Sequence, residues 1–269
     1  MQVHVQSVVQ TAERQVGQRV LICLLGSFQV IGAGRPVALR GGGKAEALLC
    51  GLAMRAEQGL NRDRLLDSLW PDSESALASQ SLNTLIYSLH RLLGELLGGA
   101  PPVVYSGGWY RLNLDAGVAV DLSQFDKLAD EGDRLEQSGA HDAAAEAYQS
   151  ALELYRGDLC AGTDVHSLVE RERVRARYLN VLAQVADYYF CAGDYSTCLD
   201  VALRLLSVDG CREDAHRLAM RCYVRRGERA QALRQYRLCE SILAGEFDAP
   251  PEPATHALFE RVRLDPDSA

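Results

Sequence analysis

The clearest periodic pattern in the chain lies between Ser75 and Leu93. Leu82, Leu85, Ile86, Leu89, Leu92 and Leu93 recur at three- and four-residue intervals, which predicts an amphipathic helix with one buried stripe. Opposite them stand Gln80, Asn83, Thr84, Tyr87 and Arg91. After Gly98-Gly99-Ala100-Pro101-Pro102 the pattern changes. Val103-Val104-Tyr105 and Trp109-Tyr110-Arg111-Leu112 flank Ser106-Gly107-Gly108 and predict two short strands in a hairpin. Successive strand residues face opposite ways, so one of Trp109 and Tyr110 should anchor the hairpin while the other faces outward.

Upstream the pattern comes in shorter pieces. Leu21–Ile31 is rich in apolar residues of strand character; Gly32-Ala33-Gly34 can turn it, and Pro36–Leu39 can return as a second strand. Gly41-Gly42-Gly43 breaks the chain before a helix over Lys44–Glu57. Asn61 caps a further helix over Arg62–Trp70, with Leu65, Leu66 and Leu69 inward, and Pro71-Asp72-Ser73 ends it. Residues 1–20 are mostly polar and read as a flexible arm.

A helix followed by a small β-wing predicts a winged helix-turn-helix over residues 21–115, with the Ser75–Leu93 helix placed in a DNA groove. Gln80, Asn83, Thr84, Tyr87, Ser88 and Arg91 would then meet base edges, since Gln and Asn can pair bidentately with adenine. Lys44, Arg62, Arg64 and the wing residues Ser106, Gly107, Gly108, Trp109 and Arg111 would position the phosphates. An ordinary solvated helix face is the competing reading of the same residues.

From Asp121 onward the chain reads as helices separated by glycine breaks. Gly139 leads into Ala144-Ala145 and Tyr148, Gly193 into Cys198-Leu199 and Ala202, Gly227 into Ala232-Leu233 and Tyr236. Gly193 and Gly227 are 34 residues apart, the tetratricopeptide period. Gly139 and Gly193 are 54 apart, one period plus an insertion that includes Arg156–His166. This predicts a tetratricopeptide-like helical domain over residues 120–269. The fold class is therefore mainly α with a small β component. Two arginine-rich runs, 170–177 and 221–229, read either as solvated faces with internal ion pairs or as contacts to DNA backbone or an acidic partner.

Charge changes this picture. The net charge is −8. Residues 21–120 carry 8 Lys and Arg against 8 Asp and Glu, and residues 121–269 carry 18 against 27. A non-specific nucleic-acid binder draws most of its affinity from phosphate neutralisation and should be basic. This composition excludes that class and requires that any DNA binding be local or assisted. No apolar run approaches the ~18 residues of a membrane span. The eight cysteines form no C-x-x-C pair; they read as reduced core or groove thiols, with zinc binding and redox sensing as alternatives. The six histidines lack metal-ligand spacing, Gly43-Lys44-Ala45 is not a phosphate loop, and no G-x-S-x-G elbow is present. The expectation is a cytoplasmic protein without catalytic residues, cofactor, metal site or membrane contact.

The order of these features resembles a known family. A strand pair, the Gly43-Lys44 helix with Leu48-Leu49, Arg62-Asp63-Arg64-Leu65-Leu66-Asp67-Ser68-Leu69-Trp70-Pro71, the leucine-rich 82–94 segment and Trp109-Tyr110-Arg111-Leu112 are similar to the OmpR-type winged helix of the Streptomyces antibiotic regulatory protein (SARP) family. Val120-Asp121-Leu122 with Phe125, and Pro250 to Arg261, resemble the bacterial transcriptional activator domain that accompanies it. The resemblance implies a transcriptional activator of promoter DNA. Its helical platform would serve RNA polymerase or sigma-factor recruitment and homodimer formation. The chain departs from the pattern at Ser88 and His90, where relatives place basic residues late in the recognition helix. Ser106 stands where an Arg is common and Trp109 where a Gly is common. These departures motivate a rival reading, an adaptor that acts through protein contacts of its repeats. A small-molecule ligand in the groove of the repeat domain, where Tyr and Cys residues cluster, is compatible with both.

Overall fold

The computed structural model describes residues 19–39, 43–160, 162 and 165–264. Most of the expected arm (residues 1–18) and Gly41-Gly42 of the expected glycine break lie outside the described residues. The described residues form two compact units. One extends to Leu128 and takes in Glu153–Arg175; the other combines Ala129–Leu152 with the residues from Ala176 onward.

The first unit opens with β1 (Val20–Cys23) and β2 (Gln29–Gly32), paired antiparallel with Leu21 opposite Ile31. The single strand expected over Leu21–Ile31 is thus two. Between them Gly26 has φ of 108°, a backbone that side-chain-bearing residues rarely adopt, so the chain reverses there despite its apolar neighbours. The return strand is also shorter than expected: β3 covers Arg35–Pro36. On the other side β7 (Val118–Val120) runs parallel to β1, giving the order β3-β2-β1-β7. Beyond the end of β1, Leu25 bridges to Leu159 and the Cys160 N–H donates to the Leu24 carbonyl at 2.8 Å.

Asp121 joins these pieces. It is fully buried at the end of β7. Its Oδ1 accepts from the backbone N–H of Leu24 at 2.7 Å and of Leu122 at 2.8 Å, and its Oδ2 from Leu25 at 3.0 Å. Arg156 Nη2 lies 3.6 Å from Oδ2. Burial raises the carboxyl pKa above its ordinary value, and the three N–H donors and the Arg156 guanidinium oppose that rise.

Three helices follow the first strands. α1 (Gly43–Ala53) buries Ala45, Leu48, Leu49 and Leu52; it ends four residues short of the expected Glu57, in a turn closed by Gly59 N–H on the Arg55 carbonyl at 2.7 Å. α2 (Arg62–Leu69) is capped as expected, with Asn61 Oδ1 accepting from Arg64 N–H at 2.9 Å. α3 (Ser75–Leu93) buries Ala78, Leu82, Leu85, Leu89 and Leu93, while Ile86 and Leu92 are half-buried at the edge of the stripe. β5 (Val103–Ser106) and β6 (Trp109–Leu112) form the hairpin, and β4 (Leu60–Asn61) adds to it in the order β4-β6-β5.

The remaining helices are α4 (Asp121–Gln137), α5 (His141–Leu154), α6 (Val165–Cys191), α7 (Tyr195–Val208), α8 (Glu213–Arg225), α9 (Arg229–Phe247) and α10 (Pro253–Leu264). Gly139, Gly193 and Gly227 stand in the turns α4–α5, α6–α7 and α8–α9, with φ of 78°, 79° and 77°. Five residues after each glycine comes a small side chain with no exposure: Ala144, Cys198 and Ala232. Nine residues after it Tyr148, Ala202 and Tyr236 are buried. The sequence repeat is therefore a repeat of turn geometry and of close helix packing. Among the described residues no helix is long and apolar enough to cross a membrane.

Candidate nucleic-acid interface

With Ala78, Leu82, Leu85, Leu89 and Leu93 turned inward, the 3.6-residue period leaves Gln80, Asn83, Thr84, Tyr87, Ser88 and Arg91 exposed along α3. Two of these residues spend a proton inside the helix. Thr84 Oγ1 donates to the Gln80 carbonyl at 3.0 Å, and Ser88 Oγ to the Leu85 carbonyl at 2.7 Å. Their oxygens remain available as acceptors. Gln80 and Asn83 keep full amide groups, with donor and acceptor side by side. His90, one of the departures noted in the sequence, has a structural task. Its Nε2 lies 3.3 Å from the Gly99 carbonyl and holds the turn that follows α3.

The hairpin beside α2 is built as the glycine pair predicts. Gly107 and Gly108 have φ of 58° and 86°, both positive, the requirement of the tight turn that matches strand twist. Tyr110 is the anchor. It is buried, its ring centroid lies 4.6 Å from that of Tyr105, and its hydroxyl accepts from Arg62 Nη1 at 2.9 Å. Trp109 is the outward partner, 38% exposed, with Ser106 opposite it. β4 ties the hairpin to the start of α2, with Leu60 opposite Tyr110. A Cβ on Gly59 would stand 2.4 Å from the Tyr110 carbonyl oxygen, so only glycine allows this approach.

The cations expected to position phosphates hold the fold as well. Lys44 donates to the Leu69 carbonyl at the C-terminus of α2, and its ammonium sits 5.9 Å from the Trp70 ring centroid. Arg62 is held by Tyr110, and Arg111 Nε donates to the Gln58 carbonyl at 3.1 Å. Arg64 lines a cleft of 560 Å³ in the first unit together with Arg55, Cys50, Met54 and His166. The arginine run 170–177 resolves into ion pairs that no i,i+4 rule foresees. Arg173 makes a two-pronged contact to Asp126 at 3.1 and 2.8 Å, and Arg177 reaches Asp130 at 2.8 Å and Asp133 at 2.7 Å. In the second run, Arg226 pairs with Glu228 and Arg229 donates to the Val262 carbonyl.

Other candidate chemistry is sparse. The cysteines are free thiols; Cys198 and Cys222 lie with sulfurs 3.2 Å apart in a buried cluster with Ala186, Leu199, Ala202 and Ala219. Among the described residues no group of three or more His, Cys, Asp and Glu could hold a metal ion. His216 is buried and satisfied, with Gln235 Nε2 donating to Nδ1 at 2.7 Å and Nε2 donating to the Gly210 carbonyl at 2.9 Å.

Known proteins complete the assignment. The family model of the bacterial transcriptional activator domain matches residues 120–263. The chain belongs to this family. As a bacterial transcriptional activator domain protein it is a SARP-family regulator, as its relatives show. The regulatory protein DnrI of Streptomyces peucetius is 28% identical over 80% of the chain and 82% of DnrI. The transcriptional regulatory protein MoaR1 of Mycobacterium tuberculosis is 24% identical over 81% of the chain and 71% of MoaR1. The regulatory protein AfsR of Streptomyces coelicolor is 25% identical over 82% of the chain, which spans only 22% of AfsR. In fold the chain is similar to Mycobacterium tuberculosis EmbR, solved with a low-affinity phosphopeptide, at a TM-score of 0.75 and 22% identity over 93% of the chain and 68% of EmbR.

Proposed function

We propose that the chain is a sequence-specific DNA-binding transcriptional activator. Its first unit is a winged helix-turn-helix, with α2 and α3 as the paired helices and β5–β6 as the wing. Its glycine-punctuated helical hairpins are a tetratricopeptide-like platform for RNA polymerase or a sigma factor. The observation that carries this reading is the outward face of α3. It presents Gln80, Asn83, Thr84, Tyr87 and Arg91 to solvent beside a tight-turned hairpin. Base edges require donors and acceptors in that arrangement, and a folded monomer has no use for it.

The employment of Lys44, Arg62 and Arg111 inside the fold favours an operator complex whose affinity rests little on phosphate. Two copies on paired half-sites would supply the remainder. The same observation motivates the second reading, an adaptor that reaches promoters through a DNA-bound partner. Gel shifts with an operator selected from a random pool, at ~50 and ~200 mM salt, separate the two. Specific binding that survives the higher salt supports the activator; no binding at either salt supports the adaptor. Asn83→Ala or Arg91→Ala should each lose about 1–3 kcal/mol of operator affinity where it contacts a base. Unchanged affinity in both removes α3 as the reading helix.

A further inference from the structure

Leu77 occupies a place in the fold that folding itself does not explain. It lies in the first turn of α3 and is 59% exposed, beside Ala78, which is buried at 2%. Seven-residue steps along the helix lead from Leu77 to Thr84 and Arg91, and Gln80 and Tyr87 fall on the adjacent rows. Leu77 therefore shares the outward face of the polar side chains. Tyr87, on the same face, is 64% exposed. An isolated exposed leucine is ordinary on a protein surface. One at the N-terminal end of a helix whose neighbours are amides and hydroxyls is placed where helix-turn-helix proteins touch base edges.

We infer that Leu77 reads a thymine through its 5-methyl group in the major groove, a specificity determinant that rests on the DNA-binding reading above. The chemistry is selective. Among the four bases only thymine offers an apolar group on its major-groove edge, and aliphatic side chains are its natural partner. The contact also suits this protein's electrostatics. The first unit has few cations to spare for phosphate, since Lys44, Arg62 and Arg111 are bonded within the fold. Apolar contact carries no salt penalty. Thr84, one helical repeat on, has its hydroxyl proton committed to the Gln80 carbonyl and extends the same row with a second methyl-bearing side chain. The operator is thus expected to hold a thymine on the major-groove edge met by the first turn of α3.

The experiment begins with an operator selected by the full chain from random-sequence DNA. Each thymine in turn is replaced by deoxyuridine, which removes only the methyl group. The wild-type chain should bind about four-fold more weakly at one thymine per half-site, the worth of one buried methyl group. Leu77→Ala, an exposed substitution whose folding is checked by circular dichroism, should bind the natural operator about four-fold more weakly and ignore deoxyuridine at that position. Indifference of the wild-type chain to every deoxyuridine overturns the inference. So does a Leu77→Ala variant that keeps the thymine preference. Loss of transcriptional activation in Leu77→Ala with operator affinity intact would make Leu77 a protein contact and overturn it as well. Failure to select any operator overturns the DNA-binding reading itself, and is distinguishable because no footprint exists on which to test methyl groups.

Discussion

Replacing Asp121 by Ala removes the acceptor for three backbone N–H groups, those of Leu24, Leu25 and Leu122. The site is fully buried, so water cannot take over without opening the junction of β1 and β7. A hydrogen bond to a charged group contributes about 1.5–3 kcal/mol net, and a buried donor left unpaired costs about 1–3 kcal/mol. Allowing for some relaxation, the loss should be about 4–6 kcal/mol, a large part of the roughly 5–15 kcal/mol that stabilises a domain. The assay is convenient because the chain has 2 tryptophans, Trp70 and Trp109, and both lie in the first unit. Urea unfolding followed by tryptophan fluorescence therefore reports on that unit. At a slope of about 2 kcal/mol per molar urea, the midpoint should fall by roughly 2–3 M. Asp121→Asn should fall between, since it keeps one acceptor oxygen but turns an amide donor toward a donor. Arg156→Ala, which removes only the 3.6 Å contact of a partly exposed guanidinium, should cost about 1 kcal/mol or less. A shift of less than about 0.5 M for Asp121→Ala would refute the view that this carboxylate holds the sheet together.

Two further outcomes are expected. His216 is held neutral by burial, which lowers its pKa from 6.5. The folded state then binds fewer protons than the unfolded chain, so this contribution to stability is present above the unfolded value and is lost as pH falls through the folded one. Melting temperatures measured between neutral and mildly acidic pH should drop more steeply for the native chain than for His216→Gln, with an upper slope of about 1.4 kcal/mol per pH unit; parallel curves would show that His216 does not titrate with folding. Arg173→Ala and Arg177→Ala should each cost about 1 kcal/mol or less in stability and leave operator affinity and its salt slope unchanged; lost affinity with intact stability would return that run to DNA contact.

What could be read from the chain alone follows physical range. The α3 stripe, the Asn61 cap and the Gly107-Gly108 turn are local, and each was legible because period, cap chemistry and positive φ are written in neighbouring residues. The glycine spacing carried further, since three turns with nearly equal φ recur with buried small residues at a fixed offset. The split at Gly26 was hidden by apolar residues on both sides of it. The parallel pairing of β1 with β7, the bridge of Leu25 to Leu159 and the Arg173–Asp126 pair join residues far apart in sequence. No local pattern announces them. Within the candidate interface the outward residues of α3 were legible, but the employment of Lys44, Arg62 and Arg111 was not. A side chain's charge is visible in sequence, whereas its partner is a carbonyl or hydroxyl fixed by the fold.

The parallel strand β7 has a consequence for how the protein is made. When the hairpin of β1 and β2 leaves the ribosome, the other edge of β1 has no neighbour, and Leu24 waits for a carboxylate 97 residues later. All of α1, α2, α3 and the wing are synthesised during that wait. Closure of the sheet is therefore a late, long-range event of the kind that slows folding. A nascent chain stalled before Val118 displays a bare strand edge of Val20, Leu21 and Ile22, an invitation to pair with another chain. The DNA-facing half of this regulator thus becomes a finished object only after translation has entered the activator domain, which couples the birth of the two halves.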